Sequence, residues 1–224
     1  MNNFSQLTVA ALYDLTHTAA ADLLDGVTYP WEALASLGEY IRALGATLSA
    51  DDYEQVAESV WVHRTATVAP SAYLGAGVII GAETEVRHGA FIRGDALVGA
   101  GAVVGNSTEL KNVILFDAVQ VPHYNYVGDS VLGYGAHLGA GAVTSNVKSD
   151  KTLVTVRVGD ATLATGRKKC GAMLGDGVEV GCHAVLNPGT VVGRGSRVYP
   201  LTSVRGYVPA GHIHKQNGAV VEIQ

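Results

Sequence analysis

"LGAGVI-IGAETE-VRHGAF-IRGDAL-VGAGAV-VGNSTE", residues 74–109, places an aliphatic side chain at Leu74, Ile80, Val86, Ile92, Val98 and Val104, one every six positions. A fixed short period marks a solenoid, and a period of six belongs to the parallel β-helix class. Three hexads make one triangular coil, so residues about 18 apart stack on one another. The aliphatic first residue of each hexad points inward, and the small fifth residue lets the chain turn a corner. A sandwich of short strands would instead alternate polar and apolar residues between irregularly spaced turns. The period runs from about Val56 to about Pro209, with a clear later block in "VGCHAV", "LNPGTV" and "VGRGSR", residues 180–197. That length predicts roughly seven coils. Two hexads, 110–114 and 127–131, are one residue short, so the stacking register is approximate there.

Two segments lack the period. In residues 1–55, "TYPWEALASLGEYIRAL" (28–44) has Pro30 at a natural first helical position. Trp31, Leu34, Leu37, Tyr40, Ile41 and Leu44 follow a helical period. An earlier helix is expected over Leu7 to Leu24. Terminal coils expose unpaired edges and apolar core, so 1–55 reads as a small helical cap on a β-helix domain of residues 56–224. The second segment is an insertion, 144–173. There Val154, Val156 and Val158 alternate with Thr155 and Arg157, and Gly159-Asp160 forms a tight turn into "ATLAT". This predicts a β-hairpin standing off the solenoid. Excursions of this kind tend to carry function.

Composition excludes several classes. The formal charge of −5 gives no basic footprint for nucleic acid. Cys170 and Cys182 form neither a secreted disulfide framework nor a zinc signature. The opening "MNNFSQLTVA" lacks the flanks of a signal peptide, and no apolar run approaches the ~18 residues of a membrane span. The chain reads as soluble and cytoplasmic.

Against this Val-, Gly- and Ala-rich background the polar "VPHYNYVGDS", residues 121–130, stands out. Counting hexads puts Arg93 and Lys111 at the second position of one face, one coil apart. His88, Asn106 and His123 share the third position of the preceding face, and Glu109 and Tyr126 its sixth. Arg93, Asn106, Glu109, Lys111, His123 and Tyr126 are therefore expected on one edge of the prism. Two adjacent cations suit a phosphate, which Arg can bind in bidentate fashion. An imidazole can accept a proton near neutral pH, and Asn106 or Glu109 can orient that ring. Gly139-Ala140-Gly141 offers backbone N–H groups for an oxyanion. "GRKK", residues 166–169, supplies consecutive cations that read either as a nucleotide-phosphate site or as a solvated turn.

With "VGNSTELKN", "VPHYNYVGDSVLG", "LGAGAVTSN" and "GRKKCGAMLGDGVEVG" in hand, the chain resembles the left-handed β-helix acyltransferases of the hexapeptide-repeat superfamily. Within them it resembles the C-terminal acetyltransferase domain of bifunctional UDP-N-acetylglucosamine pyrophosphorylase/glucosamine-1-phosphate N-acetyltransferase. The archaeal sugar-1-phosphate nucleotidylyltransferase/acetyltransferase is the nearer version, because it shares the hairpin and its exit. The resemblance spans about Phe91 to Arg205. It implies a mainly β, left-handed parallel β-helix, acetyl-CoA as co-substrate, no metal, and a homotrimer with sites between neighbouring prisms. It also implies His123 as catalytic base, Tyr126 at the sugar and Arg93 and Lys111 at the acceptor phosphate; the hexad count adds Asn106 and Glu109 to the acceptor side, and His137 is expected there as well. Asn146 and Lys151 fall to the acetyl-CoA site, together with Gly139, Ala140, Arg167, Lys168 and Cys182. His137 stands where the family has Asn, so acceptor recognition is expected to differ. About 55 residues before the repeat, without a Gly-rich nucleotide loop, are too few for a nucleotidyltransferase domain.

The expected reaction is acetyl transfer from acetyl-CoA to the amine of a hexosamine 1-phosphate or related sugar nucleotide. Two other classes compete. One is a non-catalytic sugar-nucleotide sensor or scaffold. The other is a γ-type carbonic anhydrase-like metalloenzyme, which "FIRGD" (91–95) also resembles. Two coils separate His88 from His123, about 10 Å at ordinary strand spacing, too far to share one zinc ion.

Overall fold

The computed structural model describes residues 4–224. Residues 1–3, where both the segment 1–55 and the signal-peptide reading begin, lie outside the described residues. From Val60 onward the chain winds as the expected left-handed parallel β-helix. Its first face stacks eight parallel rungs, from Val60–His63 through Val78–Ile80 and Ala96–Val98 to Tyr207–Val208. The second also has eight, from Thr67–Val68 to His212–His214. The third has seven, from Tyr73–Leu74 to Ser203–Val204. The repeat thus continues slightly past the expected limit near Pro209, because His212–His214 still pairs in parallel with Arg197–Val198.

The inward stack follows the hexads. Ile80, Val98, Leu115, Leu132, Leu174 and Val192 lie one above another and are essentially unexposed. Burying each such side chain is worth roughly 1.5–3 kcal/mol against the unfolded chain. Most rungs pair residues 18 apart, as Val60 with Val78 and Ala172 with Thr190. The two short hexads produce coils of 17, pairing Ala96 with Val113 and Val113 with Ser130. At the insertion, Val131 pairs with Met173, 42 residues on, and the stack closes again without a gap.

The first face is buried on both sides. Its outward residues Ile79, Leu97, Ile114, Val131, Met173 and Val191 are nearly as buried as its inward ones. The N-terminal segment accounts for much of this. Four short helices, α1 (Val9–Leu12), α2 (Ala21–Asp25), α3 (Pro30–Ala33) and α4 (Leu37–Gly45), alternate with 3-10 turns at Ser5–Leu7 and Leu15–His17. α3 and α4 pack against the first face's strands in the early and middle coils. The Tyr13 hydroxyl donates to the Val131 carbonyl at 3.3 Å, and the Asp117 and Asp176 N–H groups donate to His17 and Leu12 carbonyls.

Three expectations are corrected here. Residues 7–24 are not one helix: Tyr13 and Thr18 are extended, and the Asp14 side chain accepts from Thr16 N–H, starting a new turn. Nor is 28–44 continuous, since α3 stops at Ala33 and α4 begins at Leu37. The helices also lie along a face, whereas the terminal edges are met by antiparallel strands. Tyr53–Ala57 pairs with Val60–His63, and Val220–Glu222 with His212–His214.

The hairpin is the fourth correction. Thr155–Val158 pairs antiparallel with Ala161–Ala164 as expected, but the hairpin lies flat on the first face. Val154 and Val156 are fully buried there. Bare backbone makes the close approach possible: a Cβ at Gly189 (φ 77°) would fall 2.6 Å from the Thr155 carbonyl oxygen, and one at Gly206 (φ 78°) 2.6 Å from that of Arg157. The helices and the hairpin together roof a single face.

Gly189→Ala should therefore lower stability by about 1–3 kcal/mol, through both overpacking and the positive φ. Urea unfolding together with limited proteolysis should show a lower midpoint and faster cleavage near Gly159. Unchanged values for both would mean that the hairpin is not seated as described.

Candidate functional site

Where the third face turns into the first, the chain takes φ values near +50° at Asp95 (48°), Asn112 (54°) and Asp129 (50°). Asp and Asn enter this left-handed region more readily than other non-glycine residues. The 17-residue spacing stacks their side chains, and Asn112 Nδ2 donates to Asp129 Oδ1 at 2.9 Å. Asp129 is 1% exposed, so its charge needs partners. Lys111 Nζ lies 3.0 Å from Oδ1, and Asn146 Nδ2 donates to Oδ2 at 2.6 Å. The same Asn146 amide reaches the Tyr126 hydroxyl at 3.1 Å. One buried carboxylate thus gathers a cation and two amides, one of which also touches a phenol.

Beside this cluster, Arg93 Nη1 contacts Glu109 Oε1 at 2.9 Å, and Glu109 is the ladder partner of Tyr126. Burial lifts the Tyr126 phenol above its ordinary value, and the charges of Asp129 and Glu109 lift it further. Arg93, Glu109, Lys111, Tyr126 and Asn146 are therefore brought together on the third face and its far corner.

His123 and Asn106 are not part of that group. They are ladder partners on the second face, before the corner at Tyr124 (φ 51°). The expected single edge is thus two edges flanking the third face, because a corner intervenes between the third and sixth positions of the hexad. Asn106 Nδ2 donates to the His88 carbonyl at 3.2 Å, while its Oδ1 is buried without a partner. The His123 ring is exposed and has no hydrogen bond to a described residue. Neither Asn106 nor Glu109 orients it, contrary to expectation; Glu109 is engaged by Arg93.

The residues assigned to the coenzyme do not form one site within a chain. The Gly139 N–H bonds the Val180 carbonyl at 2.7 Å and the Gly141 N–H bonds that of His123 at 3.0 Å, leaving Ala140 as the one amide of the three with no bond to a described residue. Gly139, His137 and Cys182 border a groove of about 270 Å³ that begins on the second face. His137 Nδ1 sits 2.8 Å from Glu179 Oε2 there, away from the cluster around Asp129. Arg167 and Lys168 instead share a cavity of about 450 Å³ with Lys111 and Asp129. Lys151 (φ 57°) is the turning residue of the loop in which Lys148 bonds Thr152, and it touches none of these groups. Burial pushes the Cys170 thiol up to about 12, whereas Cys182 is exposed. No group of three or more His, Cys, Asp or Glu able to hold a metal ion occurs among the described residues.

The residue missed from sequence is Asp129, with Asn112 beside it. A signal was present: an Asp or Asn recurs at 95, 112 and 129, one coil apart, at the same corner of three successive coils.

Residues 78–192 match the family described as the GMPPB C-terminal domain. The chain is 33% identical over 106 residues to the bifunctional sugar-1-phosphate nucleotidylyltransferase/acetyltransferase of Sulfurisphaera tokodaii, a match covering 47% of this chain and 26% of that protein. It therefore spans about a quarter of that bifunctional relative. It is 33% identical over 175 residues to the uncharacterized acetyltransferase YaiX of Escherichia coli K12, covering 70% of this chain and 72% of that one. Among solved structures, a hexapeptide transferase family protein from Anaplasma phagocytophilum aligns over 74% of this chain and 80% of its own, at 19% identity and a TM-score of 0.42. No helix of the described residues is long and apolar enough to cross a membrane.

Asp129→Asn keeps a residue that tolerates the corner but removes the charge that holds Lys111. Stability should fall by about 1–3 kcal/mol in urea unfolding. In the Lys111→Met background the same change should have a smaller effect, since a double-mutant cycle isolates the pair. Fully additive losses would refute Asp129 as the partner that fixes Lys111.

Proposed function

The chain belongs to the GMPPB C-terminal domain family, and from that membership together with the cluster around Asp129 we propose that it is an acetyltransferase, taking acetyl from acetyl-CoA and acting on an amino-sugar phosphate or amino-sugar nucleotide. The acetyltransferase names of its relatives support the donor. The acceptor rests on one observation: Arg93, Lys111, Tyr126 and Asn146, expected separately at phosphate, sugar and acetyl group, lie on one surface and are held by Glu109 and Asp129.

In this reading the acceptor lies across the third face. Arg93 engages Glu109 through one nitrogen, which leaves further guanidinium donors for a phosphate. Asp129 fixes the Lys111 ammonium and the Asn146 amide before substrate arrives, so little ordering remains to be done on binding. The amine nitrogen attacks the thioester carbonyl. His123, whose ring is exposed and uncommitted, takes the amine proton; the carbon–sulfur bond breaks and coenzyme A leaves as thiolate. The free Ala140 N–H, one coil beyond His123, is the candidate donor to the oxyanion.

The homotrimer belongs to the same proposal. Helices and hairpin close the first face, so only the second and third are available to neighbours, and the third exposes the packed Tyr73–Phe91 ring pair. Light scattering should give three chains per particle. A monomer at micromolar concentration would remove any site shared between chains.

The direct test is thiol release from acetyl-CoA against a panel of amino-sugar phosphates and nucleotide-linked amino sugars. His123→Ala should fold normally, since exposed substitutions usually shift stability by less than ~0.5 kcal/mol. Its transfer rate should drop about 10²–10⁴-fold with coenzyme binding retained. Full turnover by the folded variant on the acceptor that the wild type uses would overturn the role of His123.

A further inference from the structure

The strap of residues 166–169 carries Arg167, Lys168 and Lys169 on a fixed backbone. The Val154 N–H donates to the Arg167 carbonyl at 2.8 Å, and Arg167 N–H donates to Thr165 Oγ1 at 3.2 Å. Just beyond, Cys170 N–H bonds the Asn146 carbonyl at 3.0 Å and Gly171 N–H bonds that of Asp129 at 2.8 Å. The strap is thus tied to the two residues that organise the acceptor cluster.

Its charges are uncompensated. No described carboxylate forms an ion pair with Arg167, Lys168 or Lys169, and the only side-chain bond among the three runs from Arg167 Nε to the Lys169 carbonyl at 3.2 Å. Three consecutive cations without counter-charges repel one another, and in a chain of net charge −5 they mark a place prepared for an anion.

The three cations line the open cavity of about 450 Å³ already described, together with Lys111. Its two acids are both engaged, Asp129 by Lys111 and Asp95 by Arg42 at 3.7 Å. Leu34 and Ala35, between α3 and α4, supply an apolar side. The volume lies within the ~300–1,000 Å³ of small-molecule sites and exceeds what one phosphate fills.

We propose that this cavity binds the diphosphate of a nucleoside diphosphate, and that the acceptor is therefore a sugar nucleotide and not a hexosamine 1-phosphate. The word acceptor rests on the acetyltransferase reading; the binding site does not. Four cations around one chamber suit two linked phosphates, where Arg93 and Lys111 would suffice for one. A coenzyme diphosphate is the other source of this chemistry. It is disfavoured because Lys111 shares the chamber, while Gly139 and Cys182 border a different groove.

The test is calorimetry on the intact chain and its Lys168→Gln/Lys169→Gln variant, whose altered side chains are exposed and leave the strap's backbone bonds in place. The probes are UDP, GDP, glucosamine 1-phosphate and acetyl-CoA. Wild type should bind UDP or GDP at least tenfold more tightly than glucosamine 1-phosphate. The variant should lose about tenfold or more of that nucleotide affinity, while glucosamine 1-phosphate and acetyl-CoA change by less than about threefold. An equal loss for acetyl-CoA would assign the chamber to the coenzyme and overturn the inference. Unchanged nucleotide affinity, or a wild-type preference for glucosamine 1-phosphate, would overturn it too. The two readings fail separately: nucleotide binding lost in the variant without thiol release on any acceptor sinks only the acetyltransferase, whereas thiol release on glucosamine 1-phosphate without nucleotide binding sinks only the chamber.

Discussion

Everything in this molecule hangs on the parallel ladder that seats each inward aliphatic residue on its counterpart in the next coil, in most coils 17 or 18 positions away. Because the backbone groups of every rung bond to the rungs on either side, a coil has little freedom in where it places its corners. Corner positions become fixed columns, and whatever residue meets the left-handed turn is stacked on its counterparts. The cluster around Asp129 is a product of that geometry. Asn112 and Asp129 sit where the chain must turn with positive φ, and stacking alone brings an amide onto a carboxylate. Lys111 needs only to precede Asn112 to reach the same oxygen.

The period of six made the solenoid legible, down to the two coils of 17 that the short hexads at 110–114 and 127–131 required. The roof was not legible. The first-face hexads ending at Ile79, Leu97, Ile114, Val131 and Val191 finish on an aliphatic residue, but those ending at Val103, Val143 and Val185 on the other two faces do so as well. Hexad endings alone therefore do not single out the side that is covered. Nor could periodicity give the path of the cover. The N-terminal helices are short because they follow a flat sheet and bond to its turns, as at Asp117 and Asp176, instead of forming their own bundle.

The site was legible as a set of residues and not as an arrangement. Counting hexads located Arg93, Lys111, Tyr126 and Glu109 on neighbouring coils, as found. It merged His123 with them because a one-dimensional count does not register the corner at Tyr124. The strap at 166–169 has no hexad position at all, so its place beside Lys111 depends on how the insertion folds back. These two failures have one origin: hexad arithmetic orders residues along the ladder and is silent about what crosses it.

The 42-residue step between Val131 and Met173 has a consequence for cooperativity. A stack of near-identical repeats melts like a one-dimensional chain of coupled units, each held by its neighbours. Closing a loop of 42 residues in place of 18 costs about 0.8 kcal/mol more in chain entropy, so the joint at this step is the weakest coupling along the axis. The hairpin's valines pack on coils beyond the joint, and the strap bonds back to Asn146 and Asp129 before it. The inserted segment is therefore a clasp across the weakest joint, and any ligand held by the clasp would bind the two halves of the solenoid into a single melting unit.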